Sequence, residues 1–397
     1  MPGYRLAPSP VGRSGNDGGV CKRRAVDSLF ASRSGGGSLR ASSGDATRAA
    51  HGPDPRKIAR AGLPLDPPLG ATMAPMGVDL DRMIESCHRD QWSVGDLDWT
   101  RKPREMSPED EAKIVQLFTD MSGIERLAGA LFREQGRRTQ DPRLQTIFAS
   151  FVKDEVRHSH AAQMLADFYD VHHYREYRPS PSLTAFAPVF VDAVRHLSDD
   201  VANAYIVAGE LILDIALLRS IDDFVNDDMS HAAMALINRD ESRHIAIDYH
   251  MTEYYVSDAF AEKIAATPPS SASEKARAAA TFALMLYHGQ PFIKDVFLSP
   301  MEHLDPRGKR LREAFKRMQL LGMKEPKAKR PFGRFLRVLS DLFNHPVAGR
   351  FAGGVAGRLA GVGPFLKRFH DDADVERARR MSYAELAAEA LESKSVD

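Results

Sequence analysis

The sequence predicts an all-α protein built around four long amphipathic helices. Between residue 107 and about residue 255, apolar residues recur at three- and four-residue intervals, which is the helical period. Val, Ile and Thr do not alternate with polar residues over the length of a strand. Two acidic motifs, at residues 154–158 and 240–244, repeat inside the second and fourth helices. The repetition indicates a four-helix bundle made of two related halves.

The first two helices form a predicted hairpin. Ser107 takes the N-cap position, Pro108 the first helical position, and three acidic residues follow in the first turn. This helix runs to about Arg138, where a Thr-Gln-Asp-Pro sequence makes the break. The second helix runs over about residues 143–169.

A long crossover joins the second helix to the third. Residues 172–181 are polar and bear prolines, and we expect Pro188 to interrupt the helix that follows. The third long helix spans about residues 199–223 and the fourth about residues 230–255.

Composition divides the chain into five regions. Residues 1–72 are rich in Gly, Ser, Arg and Pro and show no hydrophobic period, so we expect them to be disordered. Their Arg-rich bias resembles a transit peptide, and a translation start at Met73 or Met76 is an equal alternative. The other regions are an N-terminal arm (73–106), the four-helix bundle (107–265), an additional packing helix (266–305) and a basic helical C-terminal region (306–397) with a last short helix over 383–392.

The neutral overall charge hides an acidic body and a basic tail. Lys and Arg number 54, as do Asp and Glu, yet residues 73–306 hold 23 basic and 38 acidic side chains, while residues 307–368 hold 16 and 3. Residues 330–343 of the tail form a basic amphipathic helix. Such a helix suits a peripheral membrane contact, an acidic carrier or electron donor, or packing on the acidic bundle of its own chain or of a homodimer partner. We favour internal packing because the opposite charges attract.

Several classes of protein are disfavoured by composition. No apolar run approaches the roughly 18 residues of a transmembrane helix. Cys21 and Cys87 give neither a disulfide framework nor a Cys-rich zinc site. We expect a cytoplasmic protein, because no apolar core of a secretory signal opens the chain. Nucleic acid is not an expected partner, since no recognised binding motif accompanies the basic tail.

Each repeated motif places a carboxylate and an imidazole on one helix face. Glu155 and His158 have the i, i+3 spacing, as do Glu241 and His244, so each pair can bind one ion. The rest of each face is apolar, and an ionised Glu in a bundle core costs several kcal/mol unless a counter-ion meets it. A metal ion is the natural partner. A third Glu-x-x-His, beginning at Glu85, lacks the flanking Asp and Arg and is expected by chance.

The other two helices each add one glutamate to an apolar seam. Glu125 lies on the first helix and precedes Glu155 by 30 residues; Glu210 lies on the third and precedes Glu241 by 31. Each hairpin therefore brings its single Glu level with its Glu-x-x-His. Glu134, near the end of the first helix, is the alternative to Glu125. The pattern predicts a pseudo-symmetric site for two metal ions.

Four Glu and two His converging in a bundle core resemble the ligands of the ferritin-like superfamily of non-haem di-iron enzymes, over residues 107–255. The resemblance implies a ferritin-like four-helix bundle with extra C-terminal helices and a centre of two iron ions, with manganese as the alternative. Oxygen-rich ligation with two imidazoles suits Fe(II) or Mn(II) better than zinc. The implied metal ligands are Glu125, Glu155, His158, Glu210, Glu241 and His244.

The remaining polar residues of the two motifs are expected to support the ligands. Asp154 and Asp240 are placed to accept the free N–H of the His on the opposite helix, and Arg157 and Arg243 to hold those carboxylates in turn. Asp214, one turn after the glutamate of the third helix, has three open interpretations: a ligand, an acid that supports the ligands, or an ordinary polar residue.

The resemblance implies a monooxygenase or oxidase that activates O₂ to oxygenate or desaturate a small or carrier-bound organic substrate, with electrons from an external reductase or ferredoxin. Ribonucleotide reductase small subunits keep a Tyr where this chain has Ala162, which disfavours radical storage. The p-aminobenzoate N-oxygenases add a His where it has Ile237, so N-oxygenation is not favoured over C–H chemistry.

Two other classes compete with this interpretation. One is a ferritin-like or rubrerythrin-like protein that oxidises iron or scavenges peroxide. Against it, the roughly 140 residues after the bundle have no use in a storage cage, and the Cys-rich site usual in rubrerythrins is absent from the sequence. The other is a metal-free structural bundle, which the six core ligands disfavour.

Overall fold

The computed structural model describes residues 77–325, 327–359 and 366–395. The segment 1–72, predicted to be disordered, lies outside the described residues. Within them every regular element is a helix and there is no strand, which confirms the all-α prediction.

Most helices follow one another with short connections, and longer connections precede α2, α4 and α12. The bounds are α1 Leu80–Arg89, α2 Pro108–Arg138, α3 Pro142–Tyr169, α4 Pro181–Val194, α5 Asp199–Leu211 continued by a π segment Ile212–Leu218 and by Arg219–Val225, α6 Asp228–Val256, α7 Asp258–Ala266, α8 Ala272–Phe292 continued by a π segment Ile293–Leu298 and by Ser299–Leu304, α9 Lys309–Met323, α10 Pro331–Asn344, α11 Ala348–Leu359, α12 Asp372–Arg380 and α13 Tyr383–Glu392.

The four long predicted helices are α2, α3, α5 and α6. Helix α2 packs along α3 and helix α5 along α6, and the two pairs meet through α2–α5 and α3–α6 contacts. The hairpin ends where its capping chemistry predicts: Ser107 Oγ accepts the Asp110 N–H at 3.2 Å, and Asp141 accepts the Arg143 N–H at 2.8 Å. Each helix buries one apolar face, so the bundle core lies between the two pairs.

Helix α4 is continuous through Pro188, so the predicted interruption is wrong. Pro188 and Thr184, whose carbonyl loses its helical partner, lie on the exposed side of the helix, where water can replace the missing hydrogen bond. On the buried side, Phe186 stacks on Phe292 of α8 with ring centroids 4.3 Å apart. Packing of this face outweighs the local cost of the proline.

Helix α5 contains a π segment that the sequence did not predict. Every residue from Ile212 to Leu218 is buried. The whole helix, Asp199–Val225, is long and apolar enough to cross a membrane by length and composition, contrary to the expectation that no such run exists. However, 72% of its most apolar 18-residue stretch is buried inside the protein. This is the burial of a core helix and is consistent with a soluble protein.

Part of the basic tail packs on the acidic bundle. Helix α9 contacts α5, and helix α13 contacts α6. Arg310 pairs with Asp223 near the end of α5, and Arg330 Nη2 donates to the Tyr255 carbonyl at 2.7 Å. The outer face of α10 and α11 is not covered in this way, because apolar side chains there, such as Phe351, are exposed. Docking of a membrane or partner on that face stays a prediction.

Candidate metal centre

The six predicted ligands come from the four bundle helices and meet in the core. Glu125 lies on α2 and Glu210 on α5, while α3 and α6 each contribute one Glu and one His. All six residues are buried, and the most exposed of them, Glu210, retains 4% of its surface. Glu134, the alternative to Glu125, is half-buried and pairs with Arg138 at 3.0 Å. The α2 carboxylate at the centre is therefore Glu125.

The six residues form two overlapping groups of four. In each group, one potential ligand atom from every residue lies within 4.8 Å of the others. Glu155 and Glu241 belong to both groups, so each could contribute a ligand atom to either group. The first group is Glu125, Glu155, His158 and Glu241, and the second group is Glu155, Glu210, Glu241 and His244.

The two imidazoles direct their Nδ1 atoms towards the shared carboxylates. His158 Nδ1 lies 3.0 Å from Glu241 Oε1 and 3.8 Å from Glu155 Oε2. His244 Nδ1 lies 2.9 Å from Glu241 Oε2, 3.1 Å from Glu155 Oε1 and 3.8 Å from Glu210 Oε2. Each shared carboxylate thus offers one oxygen to one imidazole and its second oxygen to the other.

A glycine allows α2 to approach this arrangement. A Cβ atom at Gly129 would stand 3.2 Å from the Glu155 Cβ, which is tighter than an ordinary van der Waals contact. At Gly209, the residue before the α5 ligand, nothing lies within 4 Å of the corresponding position. Gly129 therefore lets α2 lie close to α3 at the centre, whereas Gly209 lies exposed on α5.

The second ring nitrogen of each imidazole faces an aspartate of the opposite helix. His158 Nε2 lies 3.2 Å from Asp240 Oδ2, and His244 Nε2 lies 3.6 Å from Asp154 Oδ2. The contact of His158 with Asp240 is within hydrogen-bond distance, and an acceptor at Nε2 leaves the Nδ1 lone pair free to bind a metal. The structure thus brings both predicted aspartates next to the imidazoles.

The two predicted arginines hold these aspartates. Arg243 Nη2 donates to Asp240 Oδ1 at 2.8 Å and to Asp154 Oδ2 at 3.3 Å. Arg157 Nη2 donates to Asp154 and, at 3.2 Å, to Asp240 Oδ2. Each guanidinium therefore links α3 to α6 behind the imidazoles. Trp92, which the sequence did not point to, adds a donor: its Nε1 lies 2.7 Å from Asp240 Oδ2.

The electrostatics of the cluster show an excess of negative charge. Burial raises the pKa of Glu125 and of Glu210 well above the usual value, and neighbouring carboxylates add to the rise. Burial opposes a charged imidazole, yet the surrounding acids hold the pKa of His158 and of His244 well above the usual value. The pKa of Glu241, which burial alone would raise, is held well below its usual value by the two imidazoles.

The donor atoms fit a pair of cations. Both carboxylate oxygens of Glu125 and of Glu155 are buried without a hydrogen-bond partner, as is one oxygen of Glu210 and of Glu241. Within the described part of the chain, the ion-pair contacts of Glu155, Glu210 and Glu241 are with the two imidazoles. Unpaired buried carboxylates cost several kcal/mol, and metal coordination removes that cost. The cluster can hold metal.

Asp214 lies outside both groups and has a different partner. It is fully buried in the π segment of α5 and pairs with Lys394, whose Nζ also donates to Ser242 Oγ at 2.8 Å. Burial raises the pKa of Asp214 to about 6, and Lys394 opposes the rise. Sequence reasoning missed Lys394, because a residue near the chain end gives no sign of where it folds back.

Asp248 is an acid that sequence reasoning did not assign to the site. It lies one turn after His244 on the buried face of α6, and neither of its carboxylate oxygens has a hydrogen-bond partner. Burial raises its pKa well above the usual value. Its position on the apolar face of α6, one turn after His244, is a sequence signal by which it could have been found. The chance motif behaves as expected, since Glu85 lies exposed on α1.

A cavity of about 330 Å³ adjoins the centre at Glu210. Its walls come from α2, α4, α5, α6, α8, α9 and α10 and are mainly apolar, with side chains such as Ile124, Leu131, Phe190, Val207 and Phe292. A concave apolar space of this size is typical of a small-molecule site. On the other side of the centre, Phe151 packs on the His244 ring with centroids 4.2 Å apart.

Comparison of the chain with protein-family models, with curated proteins and with solved structures gives no match. The assignment of the centre therefore rests on its own geometry and chemistry.

Proposed function

We propose that the protein is a ferritin-like, non-haem di-iron oxidoreductase that activates O₂ to oxygenate or desaturate an organic substrate. The observation that carries the proposal is the sharing of Glu155 and Glu241 between two groups of four ligands, with one oxygen of each facing each imidazole. A mononuclear site needs only one such group. Two bridging carboxylates, two outer carboxylates and two imidazoles match the donor set of di-iron carboxylate proteins.

Iron is the metal that the donors favour, with manganese as the alternative. Carboxylates and imidazole in this proportion suit Fe(II) or Mn(II), whereas zinc is more often bound by Cys or by more His. Two iron ions held by the six residues would supply the redox chemistry of O₂ activation.

The protein's own residues would orient and shield that chemistry. Asp240 would fix the ring orientation and tautomer of His158, Asp154 lies 3.6 Å from Nε2 of His244, and the two arginines hold both aspartates in place. Phe151 and the other rings around His244 exclude water on one side. The apolar cavity at Glu210 would seat the substrate next to the centre. Electrons would come from an external reductase or ferredoxin.

The alternative is a ferritin-like or rubrerythrin-like protein that oxidises iron or scavenges peroxide. The cavity supports organic chemistry over this alternative. A path for hydrated iron needs carboxylates along its walls, whereas the cavity at Glu210 is lined mainly by aliphatic and aromatic side chains.

The experiment is anaerobic loading of the purified chain with Fe(II), followed by mixing with O₂ and recording of the ultraviolet and visible spectrum. We expect absorption to develop in the native chain and in Glu85→Gln, which changes a Glu-x-x-His on the surface. We expect no absorption to develop in Glu155→Gln. Circular dichroism of each variant verifies that it is folded.

Two results would contradict the proposal. One is a native chain that takes up fewer than about one iron per molecule, since a dinuclear centre needs two. The other is a Glu155→Gln variant that is folded and reacts with O₂ as the native chain does. Steady uptake of many iron ions per chain during turnover would favour the iron-handling alternative.

A further inference from the structure

The cavity beside the centre contains a lysine that the proposed metal chemistry does not use. Lys327 begins a short 3₁₀ turn, Lys327–Lys329, between α9 and α10, and it lines the cavity together with Glu210. Its ammonium makes no hydrogen bond or ion pair with any residue in the described ranges. The nearest acids that act on it, Asp200 and Asp248, lie beyond ion-pair distance.

The other cations that line the cavity already have partners. Arg330 Nη2 donates to the Tyr255 carbonyl at 2.7 Å, and Arg337 donates to the Ala328 carbonyl. Helix α10 thus anchors both guanidinium groups to backbone. Lys327 is the cavity-lining cation of the described residues that remains available to a ligand.

The surroundings of Lys327 make an unpaired ammonium costly. Burial lowers the pKa of Lys327 to about 8, against the opposing effect of Asp200 and Asp248. At neutral pH the group is still mainly protonated, so a positive charge faces an apolar space. Lys327 is half-buried, and a carboxylate placed against its ammonium would add a charge-assisted contact that the described residues do not supply.

The cavity also limits the size of the ligand. Its volume of about 330 Å³ lies at the lower end of the range of about 300–1,000 Å³ for small-molecule pockets, which suits a ligand of about a dozen non-hydrogen atoms. Apolar walls give such a ligand its affinity, and one polar contact gives it an orientation.

We propose that the cavity binds an apolar monocarboxylate of about a dozen non-hydrogen atoms, with its carboxylate paired to Lys327 and its hydrocarbon part on the apolar walls beside Glu210. The inference rests on the proposed function and deepens it, because it names the substrate class of the same centre. An acyl group bound to a carrier has lost its carboxylate in the thioester, so the inference selects the free acid.

The test is calorimetric titration of the metal-free, full-length chain with three ligands of one chain length: decanoate, 1-decanol and decylamine, each below its aggregation concentration. We expect decanoate to bind at least tenfold more tightly than 1-decanol, and decylamine to bind most weakly. In Lys327→Met, which keeps the length of the side chain and removes its charge, decanoate should bind at least tenfold more weakly and 1-decanol about as before.

Lys329→Met is the matched control. Lys329 lies two residues away, on the surface, and pairs there with Glu325. We expect all three ligands to bind this variant as they bind the native chain. If Lys327→Met does not fold, the order of the three ligands on the native chain still decides, because a cation in the cavity favours the acid over the alcohol and the alcohol over the amine.

The inference is overturned if decanoate and 1-decanol bind equally well, or if Lys327→Met binds decanoate as the native chain does. The second result would mean that Lys327 only balances the charge of Asp200 and Asp248. Iron content is measured on the same preparations, so failure of this inference can be distinguished from failure of the proposed di-iron function. A chain that binds decanoate through Lys327 but takes up no iron keeps this inference and loses the di-iron function; the reverse result loses this inference alone.

Discussion

The two helix pairs of the bundle present nearly the same ligands in different surroundings. The α2–α3 pair contributes Glu125 with Glu155 and His158, and α5–α6 contributes Glu210 with Glu241 and His244. Around Glu125 the packing is dense, and Gly129 is needed for α2 to approach α3. Around Glu210 the helix opens onto a cavity and then passes into a π segment.

The acids near the two pairs differ as well. The α5–α6 pair carries two further buried carboxylates, Asp214 and Asp248, of which one pairs with Lys394 and the other has no hydrogen-bond partner. The buried acids of α2 besides Glu125 have hydrogen-bond partners, since Glu111 accepts from the His172 N–H and Asp120 from the Ser180 N–H. The difference indicates that the α2–α3 pair mainly fixes the centre, while the α5–α6 pair shapes access to it. Segments of π helix are frequent at functional sites for this reason.

The largest expected effect is on the iron content of the protein. It distinguishes the ligands that belong to both groups from those that belong to one group. Glu155→Gln removes a carboxylate common to both groups and should reduce iron from about two ions per chain to nearly none. Glu125→Gln and Glu210→Gln should each leave about one ion per chain, because each removes a ligand of one group only. Metal analysis after anaerobic loading measures this, with Glu134→Gln as the control on α2. Equal iron loss in all three ligand variants would contradict two overlapping groups.

The next prediction concerns the ion pair between Asp214 of α5 and Lys394. Lys394→Met leaves Asp214 buried without its partner, so we expect the free energy of unfolding to fall by about 3 kcal/mol. Adding Asp214→Asn should restore most of the loss, because the unpaired charge is then gone. Urea denaturation measures both. Lys113→Met, which breaks an exposed pair with Glu109, serves as the control and should cost less than about 1 kcal/mol.

A smaller effect on metal binding is expected from substitution of the two aspartates next to the imidazoles. It tests how alike the two halves of the centre are. Asp240→Asn should weaken metal binding by about 10- to 100-fold, because it disturbs the acceptor that orients His158. Asp154→Asn should weaken it less, since its contact with the other imidazole is longer, at 3.6 Å against 3.2 Å. Competition with a chelator of known affinity measures the difference. A larger effect of Asp154→Asn would show that contact distance does not rank the two acceptors.

The smallest expected effect is on stability, and it is measured by replacing each of two glycines with alanine. Gly209→Ala meets no atom within 4 Å and should gain about 0.5–1 kcal/mol of stability from helix propensity. Gly129→Ala should gain nothing and should weaken metal binding, because its methyl group would press on Glu155. Thermal unfolding and metal titration measure the pair. An equal stability gain in both would mean that α2 has room to move away from α3.

The sequence was sufficient to predict what depends on local pattern. Helix caps such as Ser107, and the repeated Glu-x-x-His motif on an apolar stripe, are read from neighbouring residues, and the structure brings the six predicted ligands together. The duplication mattered most, because one copy at Glu85 is an exposed coincidence.

What the sequence could not predict depends on tertiary packing. Lys394 reaches Asp214 only after the chain folds back through α13, and Trp92 reaches Asp240 from the arm before α2. The π segment has no polar face that would reveal its register, since all of its residues are buried. Pro188 was predicted to break α4, but its position on the exposed side makes the break unnecessary.

The central claim is that Glu155 and Glu241 hold two metal ions together. X-ray absorption spectroscopy at the iron edge of the Fe(II)-loaded chain tests it most directly. A dinuclear centre held by these residues would give an iron–iron scattering path at about 3.5–4 Å, with oxygen and nitrogen neighbours. A spectrum of iron with oxygen and nitrogen neighbours but without an iron–iron path, at full loading, would contradict the dinuclear centre.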